Sequence, residues 1–341
     1  MRLGVSAGYW SAGPPGDMVD VLQEVEQLGY SSVWTAEAYG SDALTPLAWW
    51  GSHVPSMTLG TAIVQMSART PAATAMAAIT LDHLSGGRFV LGLGVSGPQV
   101  VEGWYGQPYA KPLARTREYV EIIRRILARD EPVTFDGDHY PLPYQGGTGL
   151  GKPLKATVHP LRADLPIYLG AEGPKNVALA AEIADGWFPF WFSPASDRFY
   201  RDALAEGFAR AGSRHTLDDF EVVCPVPIVI NPDPEQAADV IRPMLALYVG
   251  GMGAKGANFH FDVIARMGYE AEAHTIQDLY LDGRKAEAIA SIPLAMIEDV
   301  ALVGPPEKIR EELPRWKETV ITTMIVNGPI ELLRVVPDLM A

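Results

Sequence analysis

Along most of the chain, short runs of apolar and β-branched residues alternate with longer stretches in which apolar residues recur every three or four positions. The first pattern marks buried strands and the second marks helices with one buried face. Residues 3–7 read as a first strand. A helix follows in which Asp17 can cap, Met18, Val21, Leu22, Val25 and Leu28 share a face, and Gly29 ends the run. A second strand is expected at 32–35, a helix from about 42 to 53, and a third strand at 58–64. Thr70-Pro71 joins an N-cap residue to a proline at the first helical position, and the helix it opens ends at Gly86-Gly87. After a fourth strand at 89–93, Tyr119, Ile122, Ile123, Ile126 and Leu127 form the clearest stripe, with Glu121, Arg124, Arg125 and Arg129 lying off it. Further strands are expected at 166–169, 187–190, 221–230 and 320–326, with helices starting near Pro174, Asp197, Pro234, Glu307 and Ile330.

Two stretches break this rhythm. Residues 131–165 hold a hairpin-like segment at 135–140 and a Gly-rich loop, and residues 251–300 are largely helical by composition. Eight strands separated by helices predict an α/β chain of one domain spanning 1–341. The expected architecture is a (β/α)8 TIM barrel with insertions after the fourth helix and between strands seven and eight. In such a barrel the chemistry sits at the C-terminal ends of the strands.

Composition narrows the function classes. A 48% hydrophobic content and a mean hydropathy of +0.06 are enough for a large core without disulfides. A net charge of −14 disfavours nucleic acid and anionic membrane surfaces as partners. One cysteine, Cys224, points to a reducing cytoplasm, and its place among Val222, Val223 and Val226 reads as a buried thiol. The uncharged stretch 43–68 is interrupted by Pro46, Ser52, His53, Pro55, Ser56 and Gly60, so no membrane span is expected. The first residues carry no sustained apolar run, so no signal peptide is expected either.

Several motifs match common patterns without their context. Gly92-Leu93-Gly94-Val95-Ser96-Gly97 fits G-x-G-x-x-G, but it follows the fourth strand and promises no long helix. Gly146 to Pro153 resembles a phosphate loop, yet Pro153 stands where a hydroxyl is needed for magnesium. The seven histidines show no tight ligand spacing, so no metal is expected. At strand ends, Glu37 and Tyr39 bring a carboxylate and a phenol to the barrel mouth, where Glu37 reads equally as a turn partner. The turn Gly170-Ala171-Glu172-Gly173-Pro174-Lys175 leads small residues into a helix N-terminus that suits an anion or is an ordinary helix start.

Taken together, the chain resembles the bacterial-luciferase-like superfamily, in the branch that uses the deazaflavin coenzyme F420. The resemblance covers nearly the whole chain. It is carried by Trp34-Thr35-Ala36-Glu37, by Gly60-Thr61-Ala62-Ile63 with Arg69-Thr70-Pro71-Ala72, and by Leu84-Ser85-Gly86-Gly87-Arg88-Phe89-Val90-Leu91-Gly92-Leu93-Gly94. Gly173-Pro174-Lys175-Asn176, running into Ala181-Glu182-Ile183-Ala184-Asp185-Gly186-Trp187, favours F420 over flavin mononucleotide. The resemblance implies a cis peptide at Ala62-Ile63 behind the ring, Glu37 at its polar edge, and Gly94, Ser96 and Gly97 along the pocket. It also implies Gly170, Ala171, Glu172, Gly173 and Pro174 around the phosphate. Family members with Asp-His at the end of strand two differ from this chain, which has Glu37-Ala38.

The implied reaction is hydride transfer with a small-molecule substrate, an alcohol, ketone or activated alkene. Glu37 is the first candidate acid or base, with Tyr39 and Glu102 behind it. Trp104, Tyr105, Trp187, Phe188, Phe190, Trp191 and Phe192 offer apolar surface for a substrate, though more of them are expected in the core than in the pocket. Lys152, Lys155, Arg162 and Lys175 are candidates for a positive patch toward an acidic coenzyme. A homodimer is implied as well. The alternatives are a two-component monooxygenase using flavin mononucleotide, and a barrel that binds a coenzyme without catalysis.

Overall fold

A computed structural model describes residues 1–10 and 12–340. Its strands in chain order are β1 (Arg2–Gly8), β2 (Ser32–Thr35), β3 (Thr58–Thr61), β4 (Val64–Gln65), β5 (Phe89–Gly94), β6 (Ile167–Gly170), β7 (Gly186–Phe188), β8 (Glu221–Pro225), β9 (Ile228–Ile230), β10 (Leu302–Gly304) and β11 (Thr323–Val326). All but β9 and β10 pair in parallel around one ring, with β11 between β8 and β1. Both β3 and β4 pair with β5 and together fill one position, so the ring closes as an eight-position parallel barrel.

Helices return the chain between strands: α1 (Met18–Gln27), α2 (Leu44–Gly51), α3 (Pro71–Ser85), the short α4 (Pro98–Gly103), α5 (Pro112–Ala128), α6 (Pro174–Ile183), α7 (Asp197–Phe208) and α8 (Pro234–Ala246). The stripe on α5 is buried as its spacing predicts, each large apolar side chain contributing about 1.5–3 kcal/mol relative to exposure. Thr70 caps α3 by accepting the Ala73 N–H at 3.2 Å, and Gly86 ends it in the left-handed region at φ 65°. Asp17 precedes α1, but its side chain makes no capping bond.

The barrel interior is filled by rings set against glycines. Trp34 meets Phe188 edge-on at 5.3 Å and Tyr168 at 6.3 Å between centroids. A β-carbon on Gly60 would lie 2.0 Å from the Trp34 ring, and one on Gly186 would lie 2.6 Å from Tyr168. The small residues are therefore what lets three large aromatics close the barrel.

Four strand expectations shift for local reasons. The run 58–64 is broken between β3 and β4 by the cis peptide Ala62-Ile63. Pro189 ends β7 after Phe188, and Trp191 then takes φ +52°. The run 221–230 divides at Val226-Pro227, so β8 stays in the barrel while β9 leaves it to pair with β10. Val320 and Ile321 precede β11, their N–H groups held by Asp197 and Thr319 side chains at 2.8 and 3.2 Å. In 131–165 only isolated bridges form, Phe135 with Leu142 and Val133 with Leu154, and Glu118 on α5 accepts the N–H groups of Asp138, His139 and Tyr140.

The second insertion runs through α9 (Phe259–Ile264), α10 (Glu270–Leu281), α11 (Lys285–Ala290) and α12 (Leu294–Val300); α13 (Pro306–Lys317) and α14 (Ile330–Met340) follow around β11. These insert helices pack with α8 on a core of their own that includes Ile241, Leu245, Val249, Ile276, Met296 and Ile297. A π turn at Leu247–Gly251 follows α8, and Gly250 and Gly251 let the Tyr280 ring press on it, at 2.5 Å from where their β-carbons would be. Among the described residues, no helix is long and apolar enough to cross a membrane.

Candidate active site

At the end of β2 one carboxylate holds the backbone bulge at Ala62-Ile63 that separates β3 from β4. Glu37 is 6% exposed, and its Oε1 accepts from Gln65 N–H at 2.9 Å and from Arg69 Nη1 at 2.6 Å. Its Oε2 accepts from Ala43 N–H at 3.1 Å, while Gln65 Nε2 donates to its carbonyl at 3.0 Å. Glu37 N–H donates to the carbonyl of Ile63, next to the cis peptide, at 3.2 Å. Glu37 thus ties the end of β2 to β4 and to the start of α2. Burial works against the Arg69 charge, but Glu37 and Asp42 outweigh it and hold the guanidinium above its usual pKa.

Around that bulge lies surface made mostly of backbone. A β-carbon on Gly94 would meet Ile63 at 2.6 Å, and Gly170 faces the same side chain at 3.5 Å. Ser96 is held at φ 58°, just past β5. A narrow gap bounded by Gly94, Gly170, Ala171 and Asn176 adjoins a cleft of about 220 Å³. The cleft is walled by Ser67, Arg69, Thr70, Tyr109, Arg115 and Tyr140, and the two gaps share Met66 and Val95. At the start of α6, among the described residues, the N–H groups of Gly173 and Lys175 have no hydrogen-bond partner. Such free donors at a helix N-terminus suit an anion. A bare backbone surface beside Ile63, free amides and two guanidiniums fit a planar coenzyme that carries a phosphate.

The second insertion packs against the turn after β6 and against Phe190 on the other side of the mouth. His260, 8% exposed on α9, places Nδ1 2.8 Å from Glu172 Oε1. The N–H axis is not aimed at that oxygen, and Glu172 Oε2 is buried without a partner. The His260 ring packs on Tyr248 at 4.8 Å and Phe190 at 5.6 Å. Burial pushes the Tyr248 hydroxyl up to about 12, with Tyr9, Glu172 and Tyr39 close enough to add to the effect. Arg266 donates to the Glu172 carbonyl at 3.1 Å.

The structure brings Glu37, Ala62, Ile63, Gly94, Gly170 and Ala171 to one end of the barrel, with Ser96, Gly97, Glu172, Gly173 and Pro174 at the adjoining turns. Tyr39 is 59% exposed at the rim. Trp187 and Phe192 are core, Phe188 fills the barrel, Phe190 faces the mouth and Trp104 is exposed. Two members of the expected positive patch serve elsewhere: Arg162 pairs with Asp82 and the Phe89 carbonyl at the opposite end, and Lys155 donates to the Asp130 carbonyl. Burial drives the Cys224 thiol upward, which suits packing and not nucleophilic chemistry. His260, Arg69 and Arg115 are the residues that pattern reading did not assign to the site. The Arg69-Thr70-Pro71 motif was visible, but its ion pair with Glu37 spans 32 positions.

Comparison with known proteins fits this geometry. The family described as luciferase-like monooxygenase matches residues 2–323. A Mycobacterium tuberculosis protein named as a coenzyme F420-dependent oxidoreductase is 54% identical over 330 residues, covering 96% of this chain and 95% of the relative. A 5,10-methylenetetrahydromethanopterin reductase of Archaeoglobus fulgidus is 28% identical, over 89% of this chain and 87% of its own. The solved structure of the coenzyme F420-dependent tetrahydromethanopterin reductase of Methanopyrus kandleri shares the fold, with a TM-score of 0.81 at 23% identity over 98% of this chain and 97% of that one. The chain belongs to the luciferase-like monooxygenase family, in the branch whose members are named as coenzyme F420-dependent oxidoreductases.

Proposed function

We propose that this chain is a coenzyme F420-dependent oxidoreductase that moves a hydride between the deazaflavin and a carbon of a small organic substrate, an alcohol, a ketone or an activated alkene. The near-full-length identity of 54% to a relative named for that coenzyme carries the choice of cofactor. When bound, the coenzyme supplies a ring carbon that takes or gives a hydride. The chain's part is to hold, align and exclude water. Ala62 and Ile63 back the ring, and Gly94, Ser96 and Gly97 lie beside it. Gly170, Ala171, Gly173, Pro174 and the Glu172 backbone surround the phosphate, whose charge the free amides at the start of α6 meet. Arg69 and Arg115 supply the cationic wall for an acidic tail.

Glu37 holds the bulge that backs the ring, and three fixed donors on its carboxylate favour this positioning role over that of proton carrier. Tyr39 stands at the rim on the substrate's path. The reading extends to a homodimer, which rests on the resemblance, and to a cytoplasmic setting, which the single buried cysteine supports.

The test is titration of the purified protein with oxidised F420 and, separately, with flavin mononucleotide, followed by tryptophan fluorescence. Micromolar affinity for F420 with little response to the flavin is the expected result. Preference for the flavin would move the chain to the monooxygenase reading, and binding of neither would end both.

A further inference from the structure

Three buried polar atoms without hydrogen-bond partners gather around one aromatic group at the mouth: Glu172 Oε2, His260 Nδ1 and Trp191 Nε1. His260 and Trp191 both pack on Phe190 and Tyr248, with centroids 4.8 to 5.9 Å apart. Buried polar groups are paired in nearly all native structures, so such a cluster needs a function. Trp191 also holds φ +52° there, a left-handed conformation that bulky residues rarely adopt.

A carbonyl that receives a hydride must also receive a proton, and an alcohol that gives one must lose a proton. A side chain set at the mouth can serve as that proton carrier. Glu37 is committed to the bulge. Among the described residues nothing hydrogen-bonds His260 Nε2, and the Glu172 carboxylate at Nδ1 favours the form protonated on that nitrogen.

We propose that His260, oriented by Glu172, exchanges the proton with the oxygen of a carbonyl or alcohol substrate held against Phe190 and Tyr248. This rests on the proposed function and adds the substrate class and the proton carrier. In reduction, the carbonyl carbon takes the hydride that the coenzyme supplies. The oxygen takes the proton from Nε2 of the imidazolium, leaving an alcohol and a neutral ring whose Nδ1 stays beside the Glu172 carboxylate, 2.8 Å from Oε1; oxidation is the reverse. The groups facing the imidazole are Glu172 from the turn before α6, Tyr248 from the π turn with Tyr9 and Tyr39 behind it, and Arg266, which holds the Glu172 backbone.

The experiment has two arms. In the coenzyme-free protein, nitrogen NMR of the histidines, with His260 assigned by its loss in His260→Gln, reads which ring nitrogen carries the proton. Protonation at Nδ1 is expected in the wild type and at Nε2 in Glu172→Gln; protonation at Nε2 in the wild type would overturn the pairing. In the second arm, reduced F420 is offered with a panel of ketones and aldehydes from about pH 5 to about pH 9. His260→Gln should lower kcat by about 100-fold or more with coenzyme affinity unchanged, and should flatten the fall in rate toward high pH. Glu172→Gln should cost about tenfold or more in kcat. Added imidazole should partly restore turnover in His260→Ala. An unaltered pH profile in His260→Gln would overturn the assignment. So would a wild type that binds F420 but turns over no member of the panel. Failure to bind F420 would instead sink the proposed function, and this inference with it.

Discussion

At the N-terminal end of the barrel, His215 is hydrogen-bonded through both ring nitrogens, to Asp185 at 2.9 Å and to Asp219 at 3.0 Å. Asp185 also accepts from Ile167 N–H at 2.7 Å, pairs with Arg124 and lies 3.3 Å from Arg214. At the opposite end, His260 touches one oxygen of Glu172, whose other oxygen has no partner. Both are histidine–carboxylate pairs, the first partly exposed and the second on a buried ring. The first joins the starts of β6, β7 and β8 and leaves neither of its key groups open. The second leaves capacity where a ligand would sit. An unpaired buried group is costly wherever it lies, and Arg124 Nε in the first cluster is one too, so it is the place of the second pair at the mouth, with its gap, that points to a ligand.

The largest effect should come from breaking the satisfied pair. Asp185→Ala leaves Arg124 buried beside an empty place, and urea denaturation should show a loss of about 3–5 kcal/mol with F420 affinity of the folded fraction unchanged. Next is Glu37→Gln, which sets an amide donor against the Ala43 or Gln65 N–H. A stability loss of about 1–3 kcal/mol is expected, accompanied by weaker F420 binding; weaker turnover at full affinity and stability would restore Glu37 as a proton carrier.

A smaller effect depends on pH. Burial lowers the His215 pKa, but Asp185 and Asp219 more than reverse this, and the folded-state value lies above the usual one. Its contribution is therefore fully present below the unfolded value of about 6.5 and disappears as pH rises through the folded value. The stability gap between wild type and His215→Gln should narrow by less than about 1 kcal/mol from weakly acidic to alkaline pH, and a gap that widened would reverse the sign. Smallest is Glu172→Gln, which removes a carboxylate with an unpartnered oxygen. Its denaturation midpoint should stay within about 0.5 kcal/mol of wild type, in contrast to its effect on kcat.

The barrel was legible because its signals are local. The α5 stripe, the Thr70-Pro71 cap and the Gly86 stop each act within a few residues. Strand ends were harder: Pro189 and the Pro225–Pro227 pair remove N–H donors, and an apolar run continues past the point where the ladder can. The residues proposed to line the coenzyme surface were named from the resemblance, which extends across them. Glu37 was visible as a mouth carboxylate, but what occupies its oxygens comes from β4, α2 and Arg69, and only folding brings these together. His260 carried no usable signal, since its partner lies 88 positions away and its neighbours Phe259 and Phe261 resemble any amphipathic helix.

The β9–β10 pairing gives the second insertion a character of its own. Three residues before it and three after it lie side by side in parallel register, Ile228 to Ile230 against Leu302 to Gly304. The stretch from α8 through α12 thus begins and ends at adjacent points, on a two-stranded ladder outside the ring. None of the barrel's own ladder bonds runs through it. It is hung on the wall like a hinged panel: a change within it leaves the ring of strands alone and reaches the mouth only through the few side chains, His260 and Arg266 among them, that meet the Glu172 turn.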